Sequence, residues 1–443
     1  MRSKRHFLLA VLLLAALAAI SAAGQTETSA PVPAPVPAPV QPTGPVTIEV
    51  WSSLSGSKAK LFDAQVAAYN AGQTEVIVKV IHQGGYAILR QKVAAAANSG
   101  TMPAVLIVDY LDVAWYAQLE LLQSVDDVLP KAVIQDYYPS MLADLQFKGK
   151  LYGIPYNRST QGFFVNNDAL KLAGLDKPAT TWAEFKTASE KMKALGKDYY
   201  YGYAFFHQFL FDAIAYTWGA SISTPDGTVA LNSPELVEMF TYFQNMYKDG
   251  LLLMQPVLVG GFEEQNGAFL EGKVATVFQT TSFFPTAQNL LKDKNWSFEF
   301  VPAGKGGNAV TIGGGNFAIT SKASKDETWA AAKFLTYMSS PEIVAEFFMG
   351  TGNLPTRKAA MDLPAVKEYV AKNPSAAKMI AQLAYGKPAP SITKNIRDIF
   401  NRVNDMISRI ILKGENPKTV LDEYTKMFQN EFNEAKANGE FIY

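Results

Sequence analysis

Asn157, Arg158, Ser159, Thr160 and Gln161 stand in a row between the apolar stretches GIPY and FFV. Five consecutive hydrogen-bonding side chains, one of them a guanidinium, suit recognition of a polar small molecule; the same run also suits an ordinary solvated loop. The chemistry open to the rest of the chain narrows the choice.

The chain has no cysteine, which excludes disulfides, thiolate nucleophiles, cysteine-ligated metals and a lipid carried on cysteine. Of three histidines, His6 lies in the N-terminal apolar segment, so metal or acid–base work falls to His82 and His207. His82 ends an expected strand beside Gln83-Gly84-Gly85, a structural setting; His207, after Phe205-Phe206, is the better ligand candidate. No GxGxxG opens a helix, no GxxxxGK[ST] occurs, and Gly313-Gly314-Gly315 leads into a strand, so nothing here cradles a nucleotide phosphate. Adjacent acids (Glu263-Glu264, Asp126-Asp127) do not define a glycosidase pair, which is a matter of spatial separation. Tyrosine runs at Tyr137-Tyr138 and Tyr199 to Tyr201 are expected by chance among twenty tyrosines. The expectation is a protein with no catalytic group, no metal and no cofactor.

Polar and aromatic residues instead gather where strands are expected to end: Trp51-Ser52-Ser53, Gly84-Gly85-Tyr86, Asp109-Tyr110, Asn157 to Thr160 and Gly313 to Asn316. Ligands of open α/β sheets lie at the carboxyl ends of strands. Aromatic rings cover the apolar faces of a sugar, amides, hydroxyls and guanidinium forks meet its hydroxyl groups, and glycine permits close backbone approach. The inventory suits a neutral polyol.

The elements that must position these residues read as α/β. VTIEVW, EVIVKVIH and PAVLIVDY are strands, and AKLFDAQVAAYNAG, AILRQKVAAAANSG and DVAWYAQLELLQSV are helices, giving βαβαβα with a parallel sheet. A second α/β body follows: a strand at QGFFVN, helices at NDALKLAG and WAEFKTASEKMKALG, a strand at YGYAFFH, and a long helical region to about Gly250. WAAAKFLTYMSSPEIVAEFFM reads as one long amphipathic helical stretch, and charged amphipathic helices fill Pro364 to Ala435.

Residues 1–24 carry a basic start (Arg2, Lys4, Arg5), an apolar run and a small-residue exit at Ser21-Ala22-Ala23-Gly24, the layout of a secretory signal peptide. An uncleaved anchor is the alternative, since Phe7 to Ala23 reaches the lower edge of bilayer-spanning length. Residues 25–45 form a Pro-rich linker whose APVPAPVPAPVQP tract favours polyproline II, a spacer of about 40 Å. Removing the signal takes Arg2, Lys4 and Arg5 from 40 basic residues and leaves all 40 acidic ones, a formal charge of −3 that attracts neither nucleic acid nor an anionic membrane.

Over Val46 to about Ala435 the sequence resembles the extracellular solute-binding proteins of bacterial ABC importers, family 1, the sugar-type group. The resemblance rests on the order of VTIEVWSSLSG, GGYAILRQKVAAAANSGTMPAVLIV, GIPYNRSTQGFFVNNDALKLAGLDKPATTWAEF, LNSPELVEMFTYFQNMYKDGLL, FLEGKVATVF, TIGGGNFAIT, AAAKFLTYMSSPE and TGNLPTRKAA. PYNRSTQGFFVNNDA, TIGGG and TGNLPTRKAA look most like the glycerol-3-phosphate, glycerophosphodiester and oligosaccharide binders.

The resemblance implies a two-lobed periplasmic binding protein fold, type II-like, with discontinuous lobes joined by a hinge: residues 46–155 with 313–354, and 156–312 with 355–443. GIPY, Thr311 to Gly315 and TGNLP would be crossings, placing Asn157 to Gln161 on the cleft rim. The implied contacts are Tyr86, Ser159, Thr281 or Ser282, Gly314 and Arg397; Trp51, Ser53, Asp109, Tyr110, Arg158, His207 and Asn353 complete the candidate ligand set. Tyr110 stands where glycerophosphate binders carry Glu, Asn353 where they carry Tyr, and FFHQFL lacks their Trp pair. The implied protein is a periplasmic monomer that captures a carbohydrate and delivers it to an ABC permease. Glycerol-3-phosphate or a glycerophosphodiester is the alternative ligand; an exported glycan hydrolase, and a chemoreceptor partner or adhesin, are the other readings.

Overall fold

The computed structural model describes residues 41–443 apart from 197, 204–207, 225, 227, 255–262, 388–391, 394–395, 440 and 443. The signal segment, most of the linker and His207 therefore lie outside the described residues.

The first half is built as its periodicity dictates. Strand β1 (Val46–Ser52) alternates, burying Ile48, Val50 and Ser52 while Glu49 faces out. Helix α1 (Gly56–Gly72), β2 (Val76–His82), α2 (Tyr86–Ser99), β3 (Val105–Asp109) and α3 (Tyr110–Gln118) follow, with β1 parallel to both β2 and β3. Every residue of β3 is buried, as its unbroken apolar sequence requires of a strand covered on both faces.

The long strand β4 (Ile154–Asn166) is where the architecture turns. The expected strand begins only at Gln161; instead one strand runs through the polar residues Asn157 to Gln161. Beyond it lie α4 (Trp182–Lys193), β5 (Tyr200–Tyr203), α5 (Gln208–Thr217), α6 (Pro234–Lys248), β6 (Leu252–Leu253), β7 (Val274–Thr280), β8 (Trp296–Glu299) and β9 (Val310–Ile319). The region expected to be one long helical stretch before Gly250 is thus two helices. The expected long amphipathic stretch after β9 is likewise two, α7 (Lys325–Met338) and α8 (Pro341–Thr351). Pro341 has no amide to continue the first helix and takes the first-turn position of the second.

The main sheet runs β2-β1-β3-β9-β4-β7-β5-β6. Strand β9 pairs antiparallel with β3 through Gly315 to Ile319 and with β4 through Ile312 to Phe317. Strand β4 then changes partner: Ile154 to Thr160 lie against β9, and Gln161 to Val165 against β7, with β8 on its other edge. The two strands that join the halves therefore belong to both, and the expected lobe limits at 155/156 and 312/313 fall inside them.

Aromatic packing fills each half. Phe62 of α1 is fully buried against Tyr156, Phe317 and Phe334, with ring centroids 5.6, 6.0 and 6.5 Å away. On the other side Phe163 stacks on Phe278 at 4.6 Å, and Phe185 meets Tyr201 edge-on at 5.0 Å. Phe62 joins the first half to both crossing strands, so Phe62→Ala is expected to cost about 3–5 kcal/mol in urea unfolding. A loss below about 1 kcal/mol would show that the ring does not tie α1 to the crossing.

Candidate functional site

Where β4 and β9 run side by side, Arg158 is fully buried. Its Nη2 donates to Asp144 Oδ2 at 2.7 Å and to the Ile312 carbonyl at 2.9 Å, its Nη1 donates to Asn316 Oδ1 at 3.0 Å, and Nε is left without a partner. The guanidinium lies over the Tyr110 ring, 5.3 Å from its centroid. The Arg158 carbonyl accepts from Leu354 N at 2.7 Å and from Asn353 Nδ2 at 3.1 Å. From its place on β4, one residue thus binds three other chain segments: the one carrying Asp144, β9 and the stretch after α8. Burial pushes the Asp144 carboxyl up, and Arg158 opposes the shift.

The rest of the polar run is also built in. Gln161 donates through Nε2 to the Phe209 carbonyl at 2.7 Å and accepts from Thr311 N at 2.9 Å. Gln382 Nε2 donates to Thr160 Oγ1 at 3.2 Å and to the Gln161 carbonyl at 2.9 Å. All five residues are buried in the middle of β4, so the run is not an ordinary solvated loop.

A second polar cluster sits at the carboxyl ends of β1 and β3. The Tyr86 hydroxyl accepts from Asn157 Nδ2 at 3.1 Å, beside Ser53 and Asp109. Ser53 Oγ donates to the Ile107 carbonyl at 2.9 Å, and Asp109 caps α3 by accepting from Leu111 N at 3.1 Å. Burial raises the Tyr86 hydroxyl pKa, and the Asp109 charge adds to it. Burial also raises Tyr110, reinforced by Asp109, Asp212 and Asp144 and opposed by Arg158. Both rings therefore carry neutral hydroxyls at physiological pH.

Glycine gives this cluster its clearance. A side chain on Gly315 would strike Asn157 Oδ1 and the Tyr86 hydroxyl, and one on Gly313 would strike the rings of Phe209 and Tyr110. Gly314 has φ +113°, which no L side chain adopts comfortably, and a Cβ there would overlap the Asn157 carbonyl.

The expected site residues separate into groups. Ser53, Tyr86, Asp109, Tyr110 and Gly314 meet at the crossing, and Ser159 lies opposite Gly313 on the paired strands. Trp51 is half-buried at the end of β1, its Nε1 buried and without a partner. Thr281 directly follows β7, fully buried, its Oγ1 without a partner, while its carbonyl abuts Gly352; Ser282 Oγ lies 2.6 Å from Thr280 Oγ1. Arg158 and Asn353 are bonded within the crossing, Asn353 Oδ1 accepting from Thr351 Oγ1 at 3.1 Å and Asn353 Nδ2 donating to the Arg158 carbonyl at 3.1 Å. Arg397 falls in the helix Ile396–Ile411, but its side chain, like His207, lies outside what is described. Asn157, Gly313, Gly315 and Phe209 were not singled out individually as contacts; the register that sets Asn157 against Gly315 is their only signal, and sequence does not print register. Among the described residues no cluster of His, Asp or Glu could hold a metal ion.

Two α/β halves sharing their connecting strands, with neutral hydroxyls, an amide, a carboxylate and aromatic rings gathered at the crossing, define a protein that binds a small polar solute. The chain belongs to the family of bacterial extracellular solute-binding proteins, whose family model matches residues 64–374. It is similar to the sn-glycerol-3-phosphate-binding periplasmic protein UgpB of Shigella dysenteriae, 28% identical over 370 residues that cover 79% of this chain and 83% of the relative. The protein of the same name from Escherichia coli K12 is 27% identical over the same coverage. Among solved structures, the cyclic α-maltosyl-1,6-maltose-binding protein of Arthrobacter globiformis superposes with a TM-score of 0.76 at 22% identity, covering 87% of this chain and 99% of that one. UgpB of Mycobacterium tuberculosis, in complex with glycerophosphocholine, superposes with a TM-score of 0.76 at 24% identity, covering 89% and 99%. The fold is the two-lobed one of the periplasmic binding proteins.

Removing one partner of a buried ion pair leaves an uncompensated charge, so Asp144→Ala is expected to cost about 3–5 kcal/mol. The double variant Asp144→Leu/Arg158→Met should be less damaging than the sum of its singles in chemical denaturation. Strict additivity would mean that the pair does not act as a unit.

Proposed function

We propose that this protein is the ligand-capturing component of an ABC importer, working outside the cytoplasmic membrane as a monomer, and that its ligand is a carbohydrate. The observation that carries the reading is the crossing itself: Ser53, Tyr86, Asp109 and Asn157 beside the Gly313 to Gly315 backbone, with the rings of Tyr110 and Phe209 next to them. Hydroxyls, amide and carboxylate match the ring hydroxyl groups of a sugar, and the aromatic faces match its C–H faces. Residues 46–155 with 313–354 form one lobe and 156–312 with 355–443 the other. Capture is closure of the lobes about β4, β9 and the stretch near Asn353, followed by delivery to the membrane-embedded permease; no bond of the ligand is made or broken.

A glycerophosphate ligand is the second reading, favoured by the similarity to sn-glycerol-3-phosphate-binding proteins. Tyr110 and Asn353 speak for a changed ligand: the first is buried beneath Arg158, and the second is engaged within the crossing.

Thermal unfolding of the exported protein against mono-, di- and trisaccharides, polyols, glycerol-3-phosphate and glycerophosphodiesters tests both. A true ligand at 100 times its Kd adds about 2.7 kcal/mol of stability. A shift with a sugar alone supports the first reading, a shift with a glycerophosphate alone the second, and release of product from an oligosaccharide would overturn the non-catalytic assignment. Thr281→Val removes a buried hydroxyl that has no partner, so it is expected to leave the unliganded midpoint unchanged or higher while weakening ligand about tenfold, or about 1.4 kcal/mol. Unchanged affinity in calorimetric titration would take Thr281 out of the site.

A further inference from the structure

Lys58 is in the first turn of α1, which leaves the carboxyl end of β1 just after Trp51, Ser52 and Ser53. It is half-buried, and among the described residues its ammonium has neither a hydrogen-bond nor an ion-pair partner. Burial alone holds its pKa down to about 8. A half-buried amine without a partner opposes folding, and among the described residues no carboxylate or carbonyl is bonded to it.

Its placement says what the amine faces. Lys58 precedes Phe62 by four residues and so lies on the same, inward face of α1, about 6 Å nearer the helix start. Phe62 packs on Tyr156 of β4 and on Phe317 of β9, the two strands that cross at the candidate site. Helical side chains lean toward the N-terminus of their helix, which here is the end at the candidate site. Ser55, at the cap position, makes no side-chain bond to the first-turn amides, so the same end also leaves donors unsatisfied.

We infer that Lys58 is a specificity-determining residue that pairs with an anionic group on the ligand, a carboxylate of a sugar acid or a phosphate ester. The inference rests on the receptor reading above and deepens it: the polyol part of the ligand meets Tyr86, Asn157 and Asp109, and its charged group meets Lys58. A bound anion would give the amine the partner that the protein withholds.

The test uses the exported protein with digalacturonate as the carboxylate probe, glycerol-3-phosphate as the phosphate probe and maltose as the neutral probe, each titrated calorimetrically into wild type, Lys58→Met and Lys58→Arg. One anionic probe is expected to bind wild type more tightly than maltose, to lose at least tenfold in Lys58→Met, and to keep most of its affinity in Lys58→Arg; which probe does so identifies the group. In the absence of any probe, Lys58→Met should raise the thermal midpoint, because it removes an unpaired charge. Tightest binding of maltose, unaltered by Lys58→Met, overturns the inference and leaves the receptor reading intact. Failure of every probe and of the wider sugar panel counts against the receptor reading instead, and the unliganded midpoint then decides for Lys58: a lower midpoint in Lys58→Met shows a structural role and overturns the inference.

Discussion

A guanidinium with no access to water sits where the two halves of this protein join. Left unpaired, a charge buried to that degree would cost several kcal/mol. Arg158 is therefore viable only if Asp144, Asn316 and the Ile312 carbonyl all stay in place around it. These partners come from the segment before β4 and from β9, and the Arg158 carbonyl adds the stretch after α8. The pivot is thus defined by electrostatic saturation more than by shape.

The candidate site inherits its geometry from that crossing. Asn157 is the neighbour of Arg158, its amide directed to Tyr86, and the glycines opposite leave the space in which such contacts form. A one-residue register shift between Gly315 and Asn316 lets Asn316 turn to Arg158 while Gly315 stays flush against Asn157. The residues that fasten the crossing and those of the candidate site are neighbours on the same two strands. Substitutions that retune the ligand are therefore easiest on elements reaching the crossing from outside, such as α1, α5 and the residues after β7.

The βαβ beginning was legible because β1 alternates and β3 is apolar throughout, so periodicity alone separates a half-covered strand from a fully covered one. The break at Pro341 was missed although the residue is in plain view, since the apolar period continues on both sides of it. The polar run stands out by its composition, and the resemblance puts it on the cleft rim, but its burial is not legible in it. Its partners are far off in the chain: Asn316 and Gln382 follow by more than 150 residues, and Asp144 precedes it in a segment without any motif. Local pattern reports exposure only when the neighbours are local. The same limit hid the bonds of Arg158 and Asn353 within the crossing, because side chains able to grip a solute are equally able to grip a backbone.

The shared strands also fix the order in which the protein can come together. Strand β3 has no partner on its inner side until β9 has been synthesised, about 200 residues later, and β4 lacks both neighbours until β7 and β9 exist. Neither half is a contiguous stretch that could close on its own while the ribosome is still working. The nascent chain stays open for most of its synthesis, a delay that suits a polypeptide expected to leave the cytoplasm before it folds.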